Sequence, residues 1–211
     1  MFGLERIITT FWGWGFLYYL SGGVSMPQVS SLNDYLWRHG YPGVPGAYLT
    51  YSTRWSAFVK GYSLSHTSGG ILGVRGTYGD RIVSVGGEYH YYSVGRLLTL
   101  KSKTLYVHPS VGVGRSRLTL TVGSNVVEFD SLLASPGQVS VLTSSSWVVV
   151  PEMDLLWRKE GFLFLGMGVG YMLAFPKGSW VTEGIGVRNG PSTAMDGLLF
   201  NLRLGLGFVV L

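Results

Sequence analysis

The segment 197–211 alternates almost without exception. Leu198, Phe200, Leu202, Leu204, Leu206, Phe208 and Val210 share one parity, and Asn201, Arg203, Gly205 and Gly207 share the other. Side chains of a strand point to its two faces in turn, so this is a strand with one bulky apolar face and one small or polar face. The pattern recurs along the chain. Over 161–175, Leu163, Leu165, Met167, Val169, Tyr171 and Leu173 oppose Gly166, Gly168 and Gly170. In 144–158, Trp147, Val149, Met153, Leu155 and Trp157 oppose Glu152, Asp154 and Arg158. In 82–96, Val83, Val85, Tyr89 and Tyr91 oppose Ser84, Gly86, Glu88 and His90.

Which face meets solvent follows from what each face carries. A barrel in water puts its bulky face inside and its charges outside. Here charge and glycine (32 residues) suit a narrow interior, and the apolar face suits an outer wall. Only lipid favours that arrangement, because closure satisfies every backbone group without water. Composition agrees. Hydrophobic residues make up 46% and charged residues 13%, the latter about half the usual share of a soluble domain. No run of 18 or more apolar residues provides a transmembrane helix. The expected fold is all-β: a closed antiparallel eight-stranded transmembrane up-and-down β-barrel, one domain over 1–211.

Strands are expected near 4–20, 47–60, 69–79, 81–96, 103–120, 144–158, 161–175 and 197–211. Trp12, Trp14, Phe16 and Tyr18 alternate like a strand, so the N-terminal stretch reads as mature chain rather than as a signal peptide. Short turns fall at 61–68, 97–102 and 159–160, with a tight turn at Gly79-Asp80. Long loops fall at 21–46, 121–143 and 176–196. Outer-membrane barrels have short periplasmic turns and long extracellular loops. The bacterial outer membrane, with both termini periplasmic, therefore accommodates all three long loops on the outside. Within the first loop, Ser30 and Ser31 followed by Leu32, Tyr35 and Leu36 predict a short Ser-capped amphipathic helix, ended by Gly40, Pro42, Gly43, Pro45 and Gly46.

Several function classes lose their footing. There is no cysteine, hence no thiol chemistry and no zinc–thiolate site. The formal charge of +5 is scattered, which gives nucleic-acid binding no patch. The four histidines show no metal-ligand spacing, and His66 reads as a turn residue. The Gly-x-Gly runs at 112–114, 166–170 and 205–207 lie within strands and open no helix, so they are not phosphate loops. No cofactor or metal is expected.

The whole chain resembles the small eight-stranded outer-membrane barrels, the OmpA-, OmpX- and OmpW-type proteins. Local phrases resemble outer-membrane barrels of Bacteroidota-type bacteria: Ser31 to Leu36 with Gly40-Tyr41-Pro42, Val85 to Glu88, Pro109 to Gly114, Gly168 to Tyr171, and Leu202 to Gly207. The resemblance implies location and fold, and it implies no common activity. The chain departs from the usual aromatic last residue by ending Phe208-Val209-Val210-Leu211.

Strand parity places Arg54, Arg75, Glu88, His90, His108, Ser110, Glu152, Asp154 and Arg203 in the lumen. Buried charges are costly unless paired, so a salt-bridged plug closing the lumen is the expectation. A sharper alternative sets Glu88, His90, His108 and Ser110 together as acid, imidazole and hydroxyl. His108-Pro109-Ser110 resembles the His-x-Ser spacing of outer-membrane lipid A deacylases. Those enzymes face lipid, whereas parity turns these residues inward. Arg115 and Arg117 face outward and are candidates for lipopolysaccharide phosphates. The leading expectation is a non-enzymatic structural or interaction subunit. Its partners would be outer-membrane lipid, or other outer-membrane proteins met through the three long loops or the outer wall. A narrow channel or small-ligand carrier is the further alternative.

Overall fold

The computed structural model describes residues 8–10, 13–100, 104–124, 139–159, 161–177 and 179–210. Eight long strands close into one antiparallel barrel. They are β2 (Trp14–Pro27), β3 (Tyr48–Val59), β4 (Tyr62–Tyr78), β5 (Arg81–Arg96), β7 (Leu105–Ser124), β8 (Val139–Arg158), β9 (Leu163–Phe175) and β12 (Gly197–Val210). Each pairs with its neighbour in sequence, β12 pairs with β2, and so no open edge remains among them. Four short strands decorate the ends. β1 (Ile8–Thr10) pairs with β6 (Leu98–Leu100) and β6 with β7; β10 (Trp180–Thr182) pairs with β11 (Ile185–Gly186) and with β8. Helix α1 (Ser30–Arg38) lies between β2 and β3.

One register row measures the closure. From Gly22, partners through β3, β4 and β5 are Tyr51, Gly70 and Glu88, and the row reaches β7 at Arg117. In the other direction, Leu202, Met167 and Leu155 lead to β7 at Val107. The two arrivals, 107 and 117, are ten residues apart on one strand, which is the stagger of the closed sheet. With eight strands this gives a tilt of roughly 40°. At that tilt, outward-facing Trp147 and Trp157 on β8 stand about 25 Å apart along the axis, the height of a lipid-facing band. Between those levels the wall formed by β9, β12 and β2 is apolar, with Phe16, Leu20, Leu165, Val169, Leu202 and Leu204 among its outward residues. A shallow apolar groove of about 830 Å³ crosses it.

Several boundaries differ from expectation. β2 does not end at 20 but continues through Gly22 and Gly23 to Pro27, paired with β12 and nearly throughout with β3. The segment 61–68 is not a turn. The turn is Lys60-Gly61 alone, with φ of 50° and 82°, the left-handed pair that a two-residue hairpin demands. Beyond it, Ser63, Ser65 and Thr67 point into the lumen, and this polar inward face reads as a turn in the sequence. His66 is therefore a strand residue. It lies on the outer wall beside Trp55 and Tyr92, at ring distances of 6.0 and 4.7 Å. The expected turn 97–102 contains β6, the loop 176–196 contains β10 and β11, and the expected loop 121–143 loses its ends to β7 and β8, with 125–138 outside the described residues. Of the expected strand at 4–20, residues 4–7 and 11–12 also lie outside them. The tight turn at Gly79-Asp80 is present, closing Tyr78 onto Arg81.

The barrel is filled in three layers. At the end with short turns, Leu17, Tyr19, Phe58, Leu97, Tyr106, Leu156, Phe164 and Val209 form one apolar cluster. At the end with long loops, a larger cluster joins lumen residues such as Val83, Val85, Tyr89, Leu118 and Val148 to the helix side chains Leu32 and Leu36. Charge lies between. Helix α1 is thus the lid of the mouth. Its N-cap is Val29 and makes no side-chain cap, contrary to the Ser cap expected. It is held instead by Asn33, whose Nδ2 donates to Val44 O (2.9 Å) and whose Oδ1 accepts from Val44 N (2.7 Å). Ser31 Oγ lies 3.0 Å from Thr193 Oγ1, tying the lid to the last loop.

Candidate functional site

The charged layer is built by β3, β8 and β12. Period-two alternation aims Arg54 inward from β3, Glu152 and Asp154 from β8, and Arg203 from β12. Each arginine reaches both carboxylates. Arg54 Nη1 donates to Asp154 Oδ2 at 3.0 Å, and its Nη2 pairs with Glu152 Oε2. Arg203 Nη1 donates to Asp154 Oδ2 at 2.8 Å and Nη2 to Glu152 Oε1 at 2.9 Å. Arg54 also donates to Thr67 Oγ1 (2.6 Å) and Tyr91 OH (3.2 Å). The four charged side chains are 1–3% exposed. Two cations and two anions cancel, which makes so dry a site tenable: each ion is desolvated but faces opposite charge on hydrogen-bonding geometry.

His108 joins from β7, with Nδ1 3.3 Å from Asp154 Oδ2 and Nε2 2.7 Å from Ser63 Oγ. Hydroxyl, imidazole and carboxylate are thus in line, the groups of a nucleophilic relay. The serine is Ser63, not Ser110. Ser110 points inward as expected, but among the described residues its buried Oγ has no hydrogen-bond partner, and the hydroxyl on His108 is that of Ser63. A relay needs room for a substrate, and among the described residues no cleft opens onto Ser63 and His108. Ser63 and His108 are buried, Phe58 packs edge-on to the imidazole at 5.6 Å, and the turn-end cluster closes that side. Asp154 Oδ2 is moreover shared with two arginines. The arrangement ties β4, β7 and β8 together.

Three residues assigned to the lumen by parity are not there. Glu88 and His90 are exposed on the outer wall, and the inward residues of β5 are Val83, Val85, Tyr89, Tyr91 and Ser93. The sequence reading took tyrosine and valine as a lipid face. In fact Tyr91 fills the lumen and accepts from Arg54. Arg75 faces outward because β4 carries an extra residue between Ile71 and Val74, and a β-bulge of one residue inverts the parity of everything beyond it. The expected constellation of Glu88, His90, His108 and Ser110 is therefore split across the wall.

Outside, Glu88 and His90 join Arg115 and Arg117, which face outward as expected. Register pairs His90 with Arg115 and Glu88 with Arg117. Arg117 Nη1 lies 3.2 Å from Glu88 Oε1, and both side chains are more than half exposed. The Arg115 guanidinium stands over the Trp147 ring, 4.6 Å from its centroid. A shallow cavity of about 170 Å³ opens here, lined by Glu88, His90, Arg115, Ser116, Arg117 and Ser145. Sequence parity had found the two arginines. It missed their neighbours, for want of the phase of β5. Among the described residues no group of His, Asp and Glu is arranged to hold a metal ion.

No protein-family model matches the chain, and no curated protein matches it by sequence. Solved structures do match. Ail, the attachment invasion locus protein of Yersinia pestis, superposes with a TM-score of 0.52 at 9% identity, covering 93% of this chain and 99% of that one. The same protein in complex with the heparin analogue sucrose octasulfate gives 0.53 at 8% identity, with the same coverage. The outer membrane protein OprG from Pseudomonas aeruginosa gives 0.45 at 10% identity, over 94% and 97% of the two chains. At such identities the likeness is one of fold, and the fold is that of the small eight-stranded outer-membrane β-barrels.

Proposed function

We propose that this protein is a closed, non-conducting barrel of the bacterial outer membrane that acts through its surfaces, as a structural or interaction subunit. The long loops face outward and both termini face the periplasm. One observation supports this reading: a buried layer of two arginines and two carboxylates lies between two apolar clusters inside the barrel. A pore needs a polar path from end to end, and a lumen hydrolase needs a substrate cleft. Neither fits a lumen packed in this way. What remains accessible is the lid with its neighbouring loops and the outer wall.

Planar-bilayer recording tests the sealed lumen. The wild-type protein should show no conductance steps, and regular single-channel steps would overturn the reading. Gentle extraction from native membranes tests the interaction role. A defined complex should run above the monomer, and a lone monomer with nothing bound would remove the support for a subunit.

A further inference from the structure

We propose that the outer wall over β5, β7 and β8 carries a binding site for the phosphorylated headgroup of an outer-leaflet glycolipid of lipopolysaccharide type, with Arg115 and Arg117 as its anion clamp. The proposal rests on the orientation given above, which places the loop end in the outer leaflet.

The first ground is depth. Arg115 is the register partner of Trp147, and Arg117 stands one outward position further toward the loops. Trp147 marks the upper of the two aromatic levels on β8, where ring side chains meet headgroups. The two guanidinium groups therefore stand at the level of lipid phosphates rather than within the acyl layer. Adjacent outward positions of a strand are about 6.6 Å apart, so the pair can close on one phosphate or span neighbouring oxygens.

The second ground is the pattern below. Down the outward face of β7, Arg117 and Arg115 give way to Val113 and Val111; down β5, Glu88 and His90 give way to Tyr92 and Val94. On β8, Ser145 and Trp147 precede Val149 and Pro151. Three adjacent strands thus repeat one order, polar above and apolar below. That order complements an amphiphile with its head at the girdle and its chains along the wall. It contrasts with the wall over β12, where outward residues from Leu198 to Val210 are apolar throughout.

The third ground is the preparation of the clamp. Arg115 stands over the Trp147 ring and Arg117 is paired with Glu88, so each guanidinium already has a partner that positions it. Glu88 also plays against the ligand, because its carboxylate competes with phosphate for Arg117. Ser145 and His90 line the same shallow cavity and offer hydrogen bonds to phosphate or sugar oxygens.

The experiment uses the full-length barrel in nanodiscs. Binding of diphosphorylated lipid A is compared with that of chemically dephosphorylated lipid A carrying the same acyl chains, and with phosphatidylglycerol. The phosphorylated glycolipid should bind at least about tenfold tighter than either control. Arg115→Gln with Arg117→Gln should remove that preference, whereas Glu88→Gln should strengthen it by a few fold. Equal binding of the two lipid A forms would overturn the proposal, as would capture of phosphatidylglycerol equally well. Should the double variant fail to fold, Glu88→Gln still decides: weaker or unchanged binding there would overturn it. Failure of the wild type to enter bilayers would count against the membrane reading itself, which separates the two failures.

Discussion

Arg203 and Gly168 meet across the β9–β12 seam, and each needs the other. A methyl group on Gly168 would lie 2.9 Å from Arg203 Nη2 and would also strike Asp154 Oδ1. The inward glycine is therefore the space in which the ion pair sits. Gly168→Ala should cost about 1–3 kcal/mol, as overpacking does. Gly22→Ala serves as its control, since no described residue lies within 4 Å of the added carbon, and it should be near neutral. Arg203→Met removes one cation from the four-charge layer and leaves Arg54 as the one arginine on Glu152 and Asp154, with His108 still beside Asp154. Breaking a buried pair from one side costs about 3–5 kcal/mol. Urea unfolding in detergent micelles reads all three variants. An equal loss in Gly22→Ala and Gly168→Ala would show that the interior space is not the cause. Removing the Glu88 carboxylate, by contrast, should change stability by no more than about 1 kcal/mol, since that pair is exposed.

Among the elements, α1 decides how readable the strands beneath it are. Because the helix caps the mouth, the lumen at that end is lined by valine, leucine and tyrosine and packs like a soluble core. Strands β8, β9 and β12 carry charge or glycine inward through the middle of the barrel, and their phase is plain in the sequence. Along β5 the inward residues are Val83, Val85, Tyr89 and Tyr91, while Glu88 and His90 face out. Hydrophobicity there names the wrong face. The bulge in β4 likewise hides Arg75, because no periodicity argument survives an inserted residue. The helix itself was legible from its apolar spacing, but its staple was not, for the bond between Asn33 and Val44 is a tertiary fact. Asn33→Ala should loosen the lid by about 1–2 kcal/mol. Limited proteolysis of intact cells or proteoliposomes should then cut between β2 and β3 faster, with the barrel core unchanged. Unaltered cleavage would mean that Leu32 and Leu36 hold the lid unaided.

Across the whole molecule, the stagger of ten residues and the tilt it implies bring distant parts of the chain to one level. The outer site draws on β5, β7 and β8, and the inner layer draws on β3, β8 and β12. Both include β8, whose alternate residues serve opposite sides of the wall: Ser145 and Trp147 outside, Glu152 and Asp154 within. The inner layer also has a bearing on biogenesis. Its anions sit on one strand, while its cations come from strands that precede and follow it, Arg54 about a hundred residues earlier and Arg203 about fifty later. No single hairpin contains a neutral set. A partly assembled sheet entering the bilayer would carry bare charge into hydrocarbon, so membrane entry and closure of the β12–β2 seam should occur as one event. Time-resolved protection of β3 and β12 during assembly into vesicles should rise together, and early protection of the N-terminal hairpins alone would contradict this.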